Sequence, residues 1–182
     1  MNEVLKAIQD RRSTRGFNDV QLTDGQLKAL IDAALAAPSA RNSQMWHFSV
    51  VQNRELLDEF SRDFASLMAK DAPGSAPAAD RLFYHAPTVI FISRPAECDN
   101  SFVEVDCGIA CENIALAAQG LGLGSVIVGL PKKVFLSDRG AHYCAKFGFP
   151  EGYCFSIAIA IGNNTVTKEA HPIGEGKVNL VL

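Results

Sequence analysis

The stretch SFVEVDCGIACENIALAAQGLGLGSVIVG, residues 101–129, has the pattern on which the fold depends. Its first part is apolar on nearly every side at helical spacing, which is typical of a helix buried inside a domain or at a subunit contact. Glycines then end the helix, and GSVIVG predicts a buried strand that is closed by Gly129. A buried helix that leads into a buried strand indicates an α+β structure with a central sheet.

Working outward, three further segments are short and apolar, as expected of strands. They are WHFSVVQ from Trp46, TVIFIS at 88–93 and CFSIAIAIG at 154–162. Four other segments have helical spacing, and Thr23 with Gln26 forms a capping box for the second of them. These helices are expected around Val4, Leu5 and Ile8 with an end near Arg11 or Arg12, from 24 to Pro38, from 54 to 70 after an Asn53 cap, and over PKKVFLSDRGAHYCAKFG at 131–148. The Ala/Pro-rich residues 71–80 predict a surface loop, and the tail after Gly162 has no helical period.

The chain has 182 residues and a formal net charge of −3, with 48% hydrophobic and 20% charged residues. This length and composition predict a single domain, residues 1–182, that folds without metal or disulfide support. The acidic balance argues against a nucleic-acid binder, which needs a broad basic face. No apolar run reaches the roughly 20 residues that a membrane span requires.

The N-terminus, MNEVLKAIQD, is polar and amphipathic, so we expect no cleavable signal. An odd number of cysteines, five, without a CxxC pair indicates a reducing compartment, and we expect a cytoplasmic protein. Cys107 and Cys111 share a helix face, where we interpret them as buried thiols, and no metal site is expected. Asp106 and Glu112 on that helix either pair with one another or reach an arginine.

The stretch RRSTRGF, residues 11–17, places three arginines and two hydroxyls after the first helix. Arginine forks and hydroxyl donors suit a phosphate, but arginines also stabilise the exposed end of a helix. PSARNSQMWHF, residues 38–48, has a similar ambiguity. It is either a polar turn that binds a planar ligand or a plain connection that Trp46 anchors. The glycines of GLGLGSVIVG permit close approach of a ligand or close packing of the backbone.

The order and spacing of these stretches closely resemble the nitroreductase family of FMN-dependent oxidoreductases. The family opens with a basic-Ser-x-basic-x-Phe pattern, which Arg11, Arg12, Ser13, Arg15 and Phe17 match. Its helix that ends in Ala-Pro-Ser-x-x-Asn-x-Gln-Pro-Trp corresponds to residues 37–46. Its Gly-Leu-Gly corresponds to residues 122–124, its glycine at the strand end to Gly129, and a strand that ends in Ile-Gly precedes a basic tail.

The resemblance implies a nitroreductase-like α+β fold with a mostly antiparallel central sheet flanked by helices. It also implies a homodimer, with FMN at the interface and the C-terminal segment extending onto the partner subunit. The cofactor-binding residues implied are Arg11, Arg12, Ser13, Arg15, Pro38, Ser39, Ala40, Asn42, Gln44, Val128, Gly129, Lys168 and His171. The arginines and Ser13 would hold the phosphate and ribityl chain, residues 38–42 would come from the partner, and Val128 with Gly129 would face the flavin ring.

Three details of the site do not follow directly from the family pattern. Either Lys168 or His171 would reach the phosphate. Met45 stands where proline is usual, and proline restricts the preceding residue to extended conformations, so we expect a small change of geometry at Gln44. Phe83 and Tyr84, with the Ala/Pro-rich loop, are expected to shape the substrate pocket.

The function implied is the reduction of nitroaromatics or quinones with NADPH or NADH through FMN in a ping-pong cycle. The flavin does the chemistry, so no catalytic side chain is expected. The alternatives are an FMN-binding redox sensor or flavin-handling protein without broad reductase activity, and a domain that binds no flavin.

Overall fold

The computed structural model describes residues 2–71 and 82–181. Four strands form one sheet in the order β1-β2-β4-β3, and every neighbouring pair is antiparallel. The strands are β1 (His47–Val51), β2 (Thr88–Pro95), β3 (Gly124–Val128) and β4 (Tyr153–Gly162). The predicted antiparallel α+β sheet is therefore confirmed, and β3 lies at one edge of it.

The described residues also form six helices around the sheet. They are α1 (Glu3–Asp10), α2 (Asp24–Leu35), α3 (Arg54–Asp71), α4 (Val103–Gly120), α5 (Lys132–Phe135) and α6 (Gly140–Phe147), with a short 3₁₀ turn at Ala40–Asn42. The Thr23–Gln26 capping box and the Asn53 cap are present. The predicted loop 71–80 begins where Asp71 ends α3, and the rest of it lies outside the described residues.

The predicted helix over residues 131–148 is wrong in one respect, because it is two helices. The chain turns between α5 and α6, where Gly140 approaches the carbonyl of Phe135. A Cβ at Gly140 would lie 2.1 Å from that oxygen, so the turn requires glycine. The spacing of apolar residues continues through the break, which is why periodicity alone missed it.

Both faces of the sheet are covered, and the strands alternate between two cores. On one face, Phe91 packs with Phe60 of α3 and Phe147 of α6 in an aromatic core. On the other face, Ile90 and its neighbours pack against α2 and the buried side of α4 in an aliphatic core. Within residues 2–71 and 82–181, no helix combines the length and apolarity that crossing a bilayer would need.

The C-terminal segment follows β4 along the surface. Residues 164–181 are exposed, and Ile173 and Val181 are more than nine-tenths accessible. VNLVL forms no strand with the part of the chain that is described, so its predicted pairing finds no partner within one protomer.

Candidate functional site

The basic stretch Arg11–Arg15 lies along the start of edge strand β3. Helix α1 ends at Asp10, and the chain becomes extended, with Ser13 bridging Ser125 in parallel register. The Thr14 amide donates to the Ser125 carbonyl at 2.8 Å. The stretch is therefore a fixed strand-like segment and not a frayed helix end.

The arginine side chains leave this segment in different directions. Arg11 forms an ion pair with Glu112 of α4, with 3.2 Å between Nε and Oε1, so Glu112 reaches an arginine as one interpretation expected. The guanidinium carbon of Arg15 lies 6.0 Å from the centre of the Tyr84 ring, within reach of a cation–π contact. Arg12 donates to the carbonyls of Gln9 and Arg11.

A pocket of about 310 Å³ lies beside this segment. Arg12 and Thr14 line it together with Asn164, Thr167 and Lys168 from the tail. The rest of the lining comprises Asp10, Gln119, Gly122, Leu123, Gly124 and Val166. The tail is held there because the Thr165 amide donates to the Gly16 carbonyl at 2.9 Å. Two cations and four neutral polar side chains against one carboxylate suit a phosphate.

Of the two predicted tail residues, Lys168 lines the pocket, whereas His171 is exposed further along the tail and is not part of its lining. Arg11, Ser13 and Arg15 are likewise outside this lining, although they lie on the same segment. Within one protomer, Arg12 and Lys168 thus line the same pocket, whereas Arg11, Ser13, Arg15 and His171 lie outside its lining.

The two ends of β3 use glycine differently. A Cβ at Gly124 would lie 3.0 Å from both Thr14 and Asn164, so glycine there allows the basic segment and the tail to approach the strand. A Cβ at Gly129 would make only an ordinary 3.7 Å contact with Ile157. Gly129 is exposed while Val128 is buried, so the backbone at this end of the edge strand is accessible to a ligand.

The segment Pro38–Gln44 is a tight polar turn at the other end of α4. Ser39 Oγ accepts a hydrogen bond from the Gln44 amide at 3.0 Å, and Gln44 donates from its side chain to Asn42 at 2.9 Å. The Ala40 amide donates to Asp106 of α4 at 3.0 Å. Asp106 and Gln119, which lines the Arg12 pocket, are about 20 Å apart at the rise of an α-helix. One protomer does not bring this turn to that pocket.

Backbone angles in this turn are unusual. Arg41, Asn42 and Gln44 have φ of 56°, 54° and 47°, in the left-handed region that non-glycine residues rarely adopt. A residue before proline favours extended backbone, so Met45 is compatible with the conformation of Gln44 where proline would disfavour it.

The two aromatic residues predicted for a substrate pocket have different surroundings. Phe83 is 4% exposed and packs against Phe60 and Phe91, so its surface is used by the aromatic core. Tyr84 is half-buried, has a φ of 55° and lies under Arg15. Tyr84 is thus the better placed of the two to meet a ligand of the basic segment.

The cysteines of α4 are buried thiols. Burial raises the pKa of Cys107 to about 11 and that of Cys111 to about 12, so both are protonated at neutral pH. Among residues 2–71 and 82–181, no group of three or more His, Cys, Asp or Glu side chains could hold a metal ion.

Sequence reasoning missed Thr14, Asn164, Asn100 and the role of Asp106. Thr14 lies between the predicted residues Ser13 and Arg15, and the alternation of side chains along extended backbone was a usable signal there. Asn164 lies four positions before Lys168 and had no such signal. Asn100 and Asp106 contact residues about 60 positions away, so no local pattern indicated them.

Comparison with known proteins decides the family, since the family model described as "Nitroreductase family" matches residues 8–163. The chain belongs to the nitroreductase family. A crystal structure of a nitroreductase with bound FMN from Desulfitobacterium hafniense DCB-2 superposes with a TM-score of 0.93 at 35% identity, covering 100% of this chain and 99% of that one. A nitroreductase with bound FMN from Bacteroides fragilis NCTC 9343 gives 0.90 at 27% identity, with both chains fully covered.

A curated relative within the nitroreductase family, the NADPH-flavin oxidoreductase of Vibrio harveyi, is 28% identical over 178 residues. The match covers 94% of this chain and 70% of the Vibrio protein. The resemblance noted from the sequence is thereby confirmed at the level of family and fold.

Proposed function

We propose that this nitroreductase-family chain is an FMN-dependent oxidoreductase that uses NAD(P)H to reduce nitroaromatics or quinones. The observation that supports it best is the meeting of Arg12, Thr14 and Lys168 at the start of an edge strand whose far end, Gly129, has accessible backbone. A charged end and an apolar, backbone-lined end match a phosphorylated, planar cofactor. FMN in two of the similar structures supports the same assignment.

FMN, when bound, would supply the redox chemistry by taking a hydride from NAD(P)H and giving electrons to an oxidant in two alternating half-reactions. The chain's own residues bind and orient. Arg11, Arg12 and Arg15 of the basic segment, with either Lys168 or His171 from the tail, would offset the charge of the phosphate, and Ser13 would donate a hydrogen bond. Backbone groups around Val128 and Gly129 would border the ring, and Tyr84, which lies under Arg15, would line the site beside the basic segment.

A homodimer completes this site in the proposal. Val4, Leu5 and Ile8 of α1 are at least half exposed, as are Phe102 and Val105 of α4. These apolar side chains, with the exposed tail, form a surface that a second copy would bury. The partner's copy of Pro38–Gln44 would then meet the basic segment, which the same turn in one protomer does not.

The first test is the absorbance spectrum of the purified protein, followed by NADH and NADPH oxidation with menadione or a nitrofuran. We expect flavin bands, rapid turnover and parallel lines in double-reciprocal plots. A protein that takes up no FMN would refute the cofactor. A flavoprotein without turnover would favour the redox-sensing alternative.

The second test is the double variant Arg11→Ala/Arg15→Ala. Loss of two cations beside the phosphate should weaken FMN binding by at least about a hundredfold, as measured by fluorescence titration of the apoprotein. Arg62→Ala removes an exposed cation from α3 and should leave the affinity unchanged. Equal FMN retention in the double variant and in Arg62→Ala would contradict the phosphate assignment.

A further inference from the structure

The turn Pro38–Gln44 holds three non-glycine residues in left-handed backbone, and such a conformation persists only where surrounding contacts impose it. Its ends are fixed by Ala37 and Trp46, which are buried in the aliphatic core. Between these anchors the turn is polar and largely exposed, so its shape depends on directed hydrogen bonds.

Asp106 supplies one of these bonds from the first turns of α4. Its Oδ1 accepts from the Ala40 amide at 3.0 Å, immediately before the left-handed Arg41, and its Oδ2 accepts from Asn100 at 3.3 Å. Asp106 is 3% exposed, and in the described chain its side chain makes these two hydrogen bonds and no ion pair. The helix N-terminus favours its negative charge.

Asn100 supplies the second bond. Its Nδ2 donates to Ser43 Oγ at 3.0 Å as well as to Asp106, and its Oδ1 accepts from the Phe102 amide, which fixes the orientation of the side-chain amide. Asn100 is 7% exposed. Asp106 therefore hydrogen-bonds to the start of the turn and Asn100 to its end, and the two side chains hydrogen-bond to each other.

A buried carboxylate without a cation is costly, and an apolar residue would pack there at less cost. The hydrogen bonds of Asp106 and Asn100 are directed at the turn and at each other. These bonds fix the unusual shape of the turn before a ligand binds. Binding then carries no entropic cost for ordering the turn, and the affinity is not reduced by it.

We propose that Asp106 and Asn100 are positioning residues of the FMN site, which hold Pro38–Gln44 in the left-handed conformation that meets the flavin. This role rests on the proposed function. It requires neither residue to touch FMN, and it predicts that their effect on FMN passes through the backbone of the turn.

The test exchanges the two side chains. In Asp106→Asn, one oxygen that accepts from Ala40 or from Asn100 becomes an amide donor. A donor then faces a donor, so either the contact with Ala40 or the contact with Asn100 must break. The double variant Asn100→Asp/Asp106→Asn restores a donor opposite an acceptor, keeps the acceptor for Phe102, and lets the Ser43 hydroxyl donate instead of accept. We expect Asp106→Asn to weaken FMN binding about tenfold or more, and the exchange to recover most of that loss.

Two further measurements separate positioning from general stability. Hydrogen exchange of the Ala40–Gln44 amides in the apoprotein should accelerate in Asp106→Asn and slow again in the exchanged variant, whether or not FMN binds. Phe64→Leu, in the aromatic core, should lower the free energy of unfolding while leaving the FMN affinity and this exchange unchanged.

Wild-type exchange rates in Asp106→Asn, or no recovery in the exchanged variant, would overturn the positioning role. Weaker FMN binding in Phe64→Leu to the same degree would also overturn it, since stability alone would then explain the loss. If the wild-type protein binds no FMN, the proposed function fails, while the exchange data still decide whether these residues hold the turn.

Discussion

The aromatic core buries its rings within the protomer, whereas the α4 face leaves Phe102 and Val105 in solvent. Phe60 is fully buried among rings, with the Tyr143 ring centre 4.6 Å away. On the other face α4 buries Cys111 and Ile114 but exposes Val105. Phe102, the N-cap of α4, is 60% exposed.

The difference separates what stabilises the protomer from what is available to other molecules. Helices α3, α5 and α6 cover one face, and Arg139 and Tyr143 donate hydrogen bonds to Asp63 of α3, so the rings of the aromatic core are buried within the protomer. Every predicted feature of the cofactor site lies instead toward α4 and edge strand β3: the basic segment, the polar turn and the tail. The α4 face is the side at which association and binding are expected.

The largest effect should come from Phe60→Ala in the aromatic core. Removing a fully buried ring leaves a cavity and should lower the free energy of unfolding by about 3–5 kcal/mol. Urea denaturation at the lowest practicable protein concentration, where association contributes least, measures this. The matched change on the other face, Phe102→Ala, should alter protomer stability by about 0.5 kcal/mol or less. Similar losses in the two variants would remove the distinction between the faces.

A smaller loss of unfolding free energy should follow Tyr143→Phe, which tests the hydrogen bonds between α3 and α6 on the same face. The Tyr143 hydroxyl donates to Asp63 of α3 at 2.7 Å, and Arg139 donates to the same carboxylate oxygen at 2.8 Å. The variant keeps the ring but removes one hydrogen bond to a charged group, so we expect a loss of about 1.5–3 kcal/mol. A loss indistinguishable from zero would show that rings alone close this face.

The same variant has a defined pH dependence. Burial raises the pKa of Asp63, but the hydrogen bonds from Tyr143 and Arg139 and the charge of Arg139 outweigh burial and lower that pKa. A carboxyl group with a lowered folded-state pKa stabilises the fold above its unfolded pKa, and this contribution is lost as the pH falls through the folded value. The difference between wild type and Tyr143→Phe should be greatest near neutral pH and shrink below about pH 4. A constant difference from pH 7 to 3 would contradict the role of Asp63.

Much of the fold follows from local pattern. The short apolar run of β2 and the capping box of α2 are properties of neighbouring residues, and both elements are present as predicted. The break between α5 and α6 depends on the approach of Gly140 to the Phe135 carbonyl, which periodicity does not register.

The candidate site divides in the same way. The basic segment could be recognised in the sequence because its residues are adjacent. The directions of its side chains, toward α4, the tail and Tyr84, depend on the folded sheet and could not be recognised there. The hydrogen bond from the Ala40 amide to Asp106 joins residues 66 positions apart. In the sequence, Asp106 is only an aspartate in the first turns of a helix, which does not by itself indicate such a contact. Long-range polar contacts of this kind cannot be predicted without the packing that creates them.

The smallest effect, and the sharpest for the comparison, should come from Gly108→Ala on the exposed side of α4. A Cβ at Gly108 meets nothing within 4 Å in the protomer, and alanine favours a helix interior over glycine by about 0.5–1 kcal/mol. The separated chain should therefore become more stable by about that amount. If a second copy packs against α4 as proposed, the same methyl group should weaken association.

Gly25→Ala provides the matched control, because Gly25 is also helical, exposed and without a neighbour within 4 Å, but it lies at the start of α2. It should give a gain of the same sign with no change in association. Sedimentation velocity across a dilution series measures association, and denaturation at the lowest concentration measures the chain. If Gly108→Ala raises stability and leaves association equal to that of Gly25→Ala, the partner does not approach α4 closely at Gly108, and the exposed apolar residues near Val105 must be covered in another way.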